Sequence, residues 1–149
     1  MKPFFTHFMT EITMSSIIYR SDIKPELEQA IALYRHCSLG ERRPLTDSTR
    51  FKAMLDNANL VITAWHNDKL IGIARCLTDF VYITYLADLA VDEDYQKQGI
   101  GKQLIKEVKK NTHENCSITL LAAPSAVDYY GHIGFNAHPS AWILRDKSI

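Results

Sequence analysis

Asp88-Leu89-Ala90-Val91-Asp92-Glu93-Asp94-Tyr95-Gln96-Lys97-Gln98-Gly99-Ile100-Gly101 is the stretch that decides the fold. Its first residues close a long apolar run beginning at Val81, which predicts a strand over 81–91. A polar turn follows, and beyond Gly99 the period changes. Ile100, Leu104, Ile105 and Val108 recur at helical spacing up to Asn111, with Lys109 and Lys110 suited to the negative end of the helix dipole. The first turn of such a helix leaves backbone N–H groups unpaired, which with the dipole suits a phosphate. Gly99 and Gly101 let the backbone approach closely and adopt positive φ, and Lys97 and Lys102 add charge. A dinucleotide fingerprint would need glycine where Leu104 stands. A P-loop would need glycine at Gln96 and Ser or Thr at Gln103. Both fail, so on these letters the glycines are either a ligand loop or a tight turn.

Upstream, residues 16–20 read as a short strand. Pro25 stands where a helix can start, and Leu27, Ala30, Ile31 and Tyr34 follow at helical spacing. Thr46 or Asp47 can cap a second helix carrying Phe51, Met54, Leu55 and Ala58 on one face. Leu60–His66, the turn Asn67-Asp68 and Lys69–Thr78 form a hairpin. Downstream, a strand is expected over 117–122, a short helix over 126–133 stopped by Gly134, and a last strand over 142–144. The order predicts a single α/β (α+β) domain over 16–149 with a mixed, mostly antiparallel central sheet flanked by helices. The unit from 81 to 122 should be a crossover between parallel neighbours. Residues 1–15 are read as a loose N-terminal segment outside the fold.

The 149 residues are 46% hydrophobic, enough to bury a core without staples. Lys plus Arg and Asp plus Glu are 17 each, which argues against a dedicated nucleic-acid binder. No stretch approaches the roughly 20 apolar residues of a membrane span. Cys37, Cys76 and Cys116 are odd in number and unpaired in spacing, and the histidines lack HxxxH spacing. Neither a disulfide framework nor a metal site is expected, and the thiols suit a reducing cytoplasm.

The stretch 88–101, with Val91 followed by Gln96-x-x-Gly99-x-Gly101, resembles the pyrophosphate-binding motif of the GNAT (Gcn5-related N-acetyltransferase) superfamily. Tyr130-Gly131-His132-Ile133-Gly134-Phe135 resembles that superfamily's Tyr-x-x-x-Gly-Phe signature, in the right order and one strand later. The element order agrees, so the resemblance covers nearly the whole chain. Residues 88–101 and Val127-Asp128-Tyr129-Tyr130 also look like its aralkylamine branch, although Ala123-Pro124 departs from the polar residues found in some of those relatives.

The resemblance implies acetyl-CoA as cosubstrate, with a primary amine, first a small-molecule amine, as acceptor. It implies that backbone groups of Leu89, Ala90 and Val91 pair with the pantetheine arm. Leu89 or Val91 N–H would face the thioester oxygen. The pyrophosphate would lie on the amides of Gln98, Gly99, Ile100, Gly101 and Lys102, beside Gln96 and Lys97. His132 falls where relatives often carry a basic residue near the 3′-phosphate. Tyr130 is implied as general acid toward the departing thiolate, a phenol near about 10 being able to protonate a thiol near about 8.5. Tyr129 reads as packing. The position where relatives often hold an acidic or histidine base carries Tyr85, a departure that leaves the base open. Strict alternation puts Tyr85, Ala87 and Leu89 on one face and Leu86, Asp88 and Ala90 on the other. Asp88, the only acid in the strand, faces away by strict alternation; a bulge could bring it to the amine as base or anchor, and otherwise it is a structural carboxylate. Arg42, Arg43, Asp79, Tyr82 and Tyr85 are the candidates for the acceptor side, or else a solvated loop and sheet surface. A protein lysine or N-terminal amine as acceptor, a non-catalytic CoA-binding sensor, and a homodimer through the C-terminal strands are the readings left beside this one.

Overall fold

Stretches rich in Val, Ile, Leu and Thr build one five-stranded sheet in the computed structural model, which describes residues 16–145. Strands β1 (Ile17–Arg20), β2 (Leu60–His66), β3 (Lys69–Thr78) and β4 (Ile83–Val91) pair antiparallel in sequence order. Strand β5 (Ser117–Thr119) joins β4 in parallel. Helices α1 (Leu27–Arg35) and α2 (Ser48–Asp56) lie between β1 and β2. Helix α3 (Ile100–Lys110) crosses from β4 to β5, and α4 (Val127–His132) follows β5. The start signals are local. Glu26 and Gln29 form a capping box on α1, and Asp47 accepts from Arg50 N at 3.0 Å to cap α2. At the hairpin turn Asn67 takes φ 54°, a conformation its short polar side chain tolerates.

Two cores sandwich the sheet. Ile62, Ala64, Ala74, Cys76 and Leu86 pack with Ile100, Leu104, Ile105 and Val108 of α3. Val61, Leu70, Ile73 and Ala90 pack on the other face with Ala30, Leu33, Tyr34, Phe51 and Leu55 of α1 and α2. Each fully buried Leu, Ile or Phe contributes about 1.5–3 kcal/mol, so the layers are held mainly by this packing.

The alternation expected in β4 does not run through. Arg75 faces Asp88 across the ladder but Cys76 faces Leu86, so Ala87 is an extra residue and forms a bulge. Before it, Leu86 points into the α3-side core. After it, Ala90 belongs to the α1/α2 core, while Leu89 and Val91 pack against the α3 side. Leu86 and Asp88 therefore do not share a face.

The ends of several elements also differ from expectation. β4 begins at Ile83 because the Asp79 carboxylate accepts from the N–H groups of Val81, Tyr82 and Ile83 and holds them in a turn. β5 stops at Thr119, where β4 and β5 part company, and Pro124–Ala126 forms a 3₁₀ turn leading into α4. The last strand does not form: residues 142–144 have no strand neighbour among the described residues, and Trp142 is 93% exposed. The expected loose segment 1–15 lies outside the described residues.

Candidate active site

The parallel pairing of β4 with β5 covers only Ile83, Thr84 and Tyr85, against Ser117, Ile118 and Thr119. From Leu86 to Val91 that edge of β4 has no strand beside it among the described residues, so the peptide groups on it that Arg43 and Gln96 do not hold are open to a ligand. The open edge leads straight into the turn before α3. Gln96 Nε2 donates to Val91 O at 3.0 Å and ties the turn to the strand end. Lys97 takes φ 63°, and Gly99 caps the helix at φ 80°, ψ 8°, where a side chain would be strained. Gln103 N donates to Gly99 O at 3.0 Å, the first helical bond of α3. The amides of Ile100, Gly101 and Lys102 precede that bond and belong to the positive end of the helix. Gln96, Lys97, Gln98 and Lys102 are exposed around it.

Tyr130 packs against the α3-side core, in company with Leu89, Val91, Leu120 and Phe135. Its ring meets Phe135 edge-on at 5.5 Å and Tyr129 at 5.2 Å. Burial, then the neighbouring Tyr129, raises its phenol above the usual range, so it is a proton donor at neutral pH. His132, at the end of α4, is exposed.

Asp88 sits differently from the open amine contact that the sequence left available. The bulge turns it to the α1/α2 face, where it is buried. Its Oδ1 accepts from Arg43 Nε at 2.6 Å. Its Oδ2 accepts from Arg75 Nε at 2.6 Å and from Tyr34 Oη at 2.7 Å. Arg43 Nη2 also donates to Ala87 O at 2.9 Å, so the guanidinium grips the bulge as well as the carboxylate. Burial and the Asp88 charge push the Tyr34 phenol well up, keeping it protonated. Tyr34 and Arg75 were missed by sequence reasoning. Arg75 was the available signal, an arginine inside an otherwise apolar strand.

Of the other acceptor-side candidates, Arg43 is committed to Asp88 and Ala87, and Asp79 to its own turn. Backbone N–H bonds from Tyr82, Ile83 and Val81 hold the Asp79 carboxyl below its ordinary range. Tyr82 and Tyr85 are exposed, and the parity set by the bulge puts Tyr85 and Leu77, its ladder partner, on the α1/α2 face. His36, Asp92 and Asp94 come within 4.8 Å of one another. Asp92 is accounted for there by Asp94 N at 2.9 Å and Lys69 Nζ at 3.4 Å. Cys37, Cys76 and Cys116 are free thiols, and burial pushes Cys76 up to about 12.

The family model of the acetyltransferase (GNAT) domain matches residues 43–146, which take in the opened β4 edge and the glycine-capped helix. The chain belongs to the GNAT acetyltransferase family. It is 33% identical over 104 residues to an uncharacterized N-acetyltransferase ycf52 of Gracilaria tenuistipitata var. liui, covering 66% of this chain and 56% of that one. It is 37% identical over 73 residues to histone acetyltransferase TAP1 of Glycine max, covering 48% and 32%. The chain thus spans little more than half the length of the first of these curated relatives and a third of the second. A probable acetyltransferase of meticillin-resistant Staphylococcus aureus has the same fold, with TM-score 0.70, 24% identity, and coverage of 87% of this chain and 98% of that one. Among the described residues, no helix of this GNAT domain is long and apolar enough to cross a membrane.

Proposed function

We propose that this GNAT domain transfers the acetyl group of acetyl-CoA to a primary amine by direct attack, without an acyl-enzyme. The observation that carries the reading is the parting of β4 from β5 after Tyr85, which leaves an open edge running into the glycine-capped start of α3. That geometry fits coenzyme A: a pantetheine arm can take the peptide groups that Leu89, Ala90 and Val91 leave unpaired on this edge, the Val91 carbonyl being held by Gln96. The amides from Gln98 to Lys102 can take the pyrophosphate, with Gln96, Lys97 and His132 at its margin.

The reaction forms an N–C bond and breaks the C–S bond of the thioester. Leu89 or Val91 N–H stabilises the oxygen that becomes negative as the amine adds. Tyr130 donates to the departing sulfur, and its raised phenol keeps the proton available at neutral pH. The amine, with an ordinary value near about 10.4, must arrive neutral. Since Asp88 is engaged on both oxygens, the proton passes to solvent on the side of Tyr85 rather than to a buried carboxylate.

A small amine is the first choice of acceptor, because the exposed rings of Tyr82 and Tyr85 can pack on an apolar amine or hold an ammonium. A protein lysine is the second, favoured by the name of the Glycine max relative. The free thiols support a reducing compartment, which we take as the cytoplasm. The apolar run 142–144 supports a homodimer as the assembly.

The test is release of CoA thiol from acetyl-CoA with aryl-alkyl amines, polyamines, amino sugars, aminoglycosides and lysine peptides. We expect turnover with one class, and a fall in kcat of about 10²-fold or more in Tyr130→Phe. Undiminished activity in that variant removes Tyr130 from the chemistry. Tight binding of acetyl-CoA without turnover on any amine would instead make the domain a sensor.

A further inference from the structure

We propose that Tyr129 is a ligand of the coenzyme's pyrophosphate, its phenol hydroxyl hydrogen-bonding a phosphate oxygen at the first turn of α3. The inference rests on the cofactor reading of that turn given above and adds a residue to it that the motifs do not mark. A Cβ built on Gly101 would stand 2.9 Å from Tyr129 Oη and 3.8 Å from Leu89 Cδ2. The hydroxyl therefore lies against the backbone of the first turn, on the side where β4 hands over to the helix, and Gly101 leaves it the room.

Packing accounts for the ring but not for the hydroxyl. Tyr129 and Tyr130 meet edge-on at 5.2 Å, and of the two it is Tyr130 that packs on the α3-side core with Phe135. A phenylalanine at 129 would make the same edge-to-face contact. Tyr129 is 38% exposed, its Oη has no hydrogen-bond partner among the described residues, and partial burial raises the phenol, which stays protonated at neutral pH. An unpartnered donor thus stands beside the first-turn amides of α3. A pyrophosphate has more acceptor sites than the amides of Ile100, Gly101 and Lys102 can satisfy. The phenol on α4 reaches the same turn, so it can add a donor to a phosphate held there. Coenzyme binding must either displace this hydroxyl or bond to it, and bonding leaves no donor unpaired.

The test is calorimetric titration of the full chain with CoA, comparing wild type with Tyr129→Phe, which keeps the ring. We expect the variant to bind CoA about tenfold more weakly, the loss of one bond to a charged group. Pantetheine, the same arm without phosphates, should show the same Kd on both proteins, within about twofold. Unchanged CoA affinity in Tyr129→Phe overturns the proposal. So does an equal loss for CoA and pantetheine, which would mean that the ring merely shapes the slot. Wild-type protein that binds no CoA would instead sink the functional reading itself, a result seen before any variant is made.

Discussion

Asp88 shows how a single carboxylate changes its meaning with its surroundings. In the sequence it is the lone acid of a strand that lines an active site. In the structure it is a buried anion between Arg43, Arg75 and Tyr34, with Arg43 also holding the carbonyl of the bulge. Breaking a buried, hydrogen-bonded pair leaves the remaining charges without compensation and costs about 3–5 kcal/mol. Asp88→Asn should therefore lower the unfolding free energy by that much, read as a fall in the urea midpoint, because two guanidiniums lose their counter-charge. If Asp88 were the base, the variant would stay as stable as wild type while acetyl transfer disappeared. Equilibrium unfolding measured beside the thiol-release assay separates the two.

Helix α3 does two jobs, and its two ends divide them. Along its length Leu104 and Val108 anchor one core to the sheet. At its start Gly99 supplies a left-handed φ of 80°, and we take this turn to aim the unpaired amides at the coenzyme. A side chain in that conformation costs roughly 1–2 kcal/mol. No heavy atom would lie within 4 Å of a Cβ at Gly99, so the penalty of Gly99→Ala is conformational rather than steric. We expect Gly99→Ala to lose about 1 kcal/mol of stability and to bind CoA several-fold more weakly as the turn relaxes. Urea unfolding and CoA titration read the two effects. A variant that loses stability but keeps CoA affinity would show that the turn does not aim the amides.

At the scale of the whole molecule, the sheet carries helices on both faces, and its last strand, β5, holds β4 through a short ladder. That short ladder opens the slot, and it leaves the chain after α4 without a strand to join. Trp142, Ile143 and Leu144 stay 93%, 53% and 64% exposed. Apolar side chains so placed favour a partner surface. Light scattering should return twice the 17.0 kDa chain mass at micromolar concentration, and Trp142→Ser should shift it toward the monomer. A monomer in wild type at all concentrations rules out the dimer.

The sequence by itself determined the strand–turn–helix at 88–110, the helix caps, the β2–β3 hairpin and the order of nearly all the elements. These follow from local causes: the period of apolar residues, the φ a glycine permits, and the unpaired amides of a first turn. The two motifs around Gly99 and Tyr130 were legible for the same reason, each lying within a few residues. The tertiary structure alone decided the rest. The bulge at Ala87 shifts the parity of β4, and a one-residue shift turns every later side chain to the opposite face, which no alternation rule can anticipate. Two of the three partners of Asp88 lie 45 and 54 residues away on α1 and its loop, and Tyr129 meets Gly101 only because α4 folds back on α3. The predicted strand at 142–144 failed by the same logic, since a strand exists only where another edge accepts its hydrogen bonds.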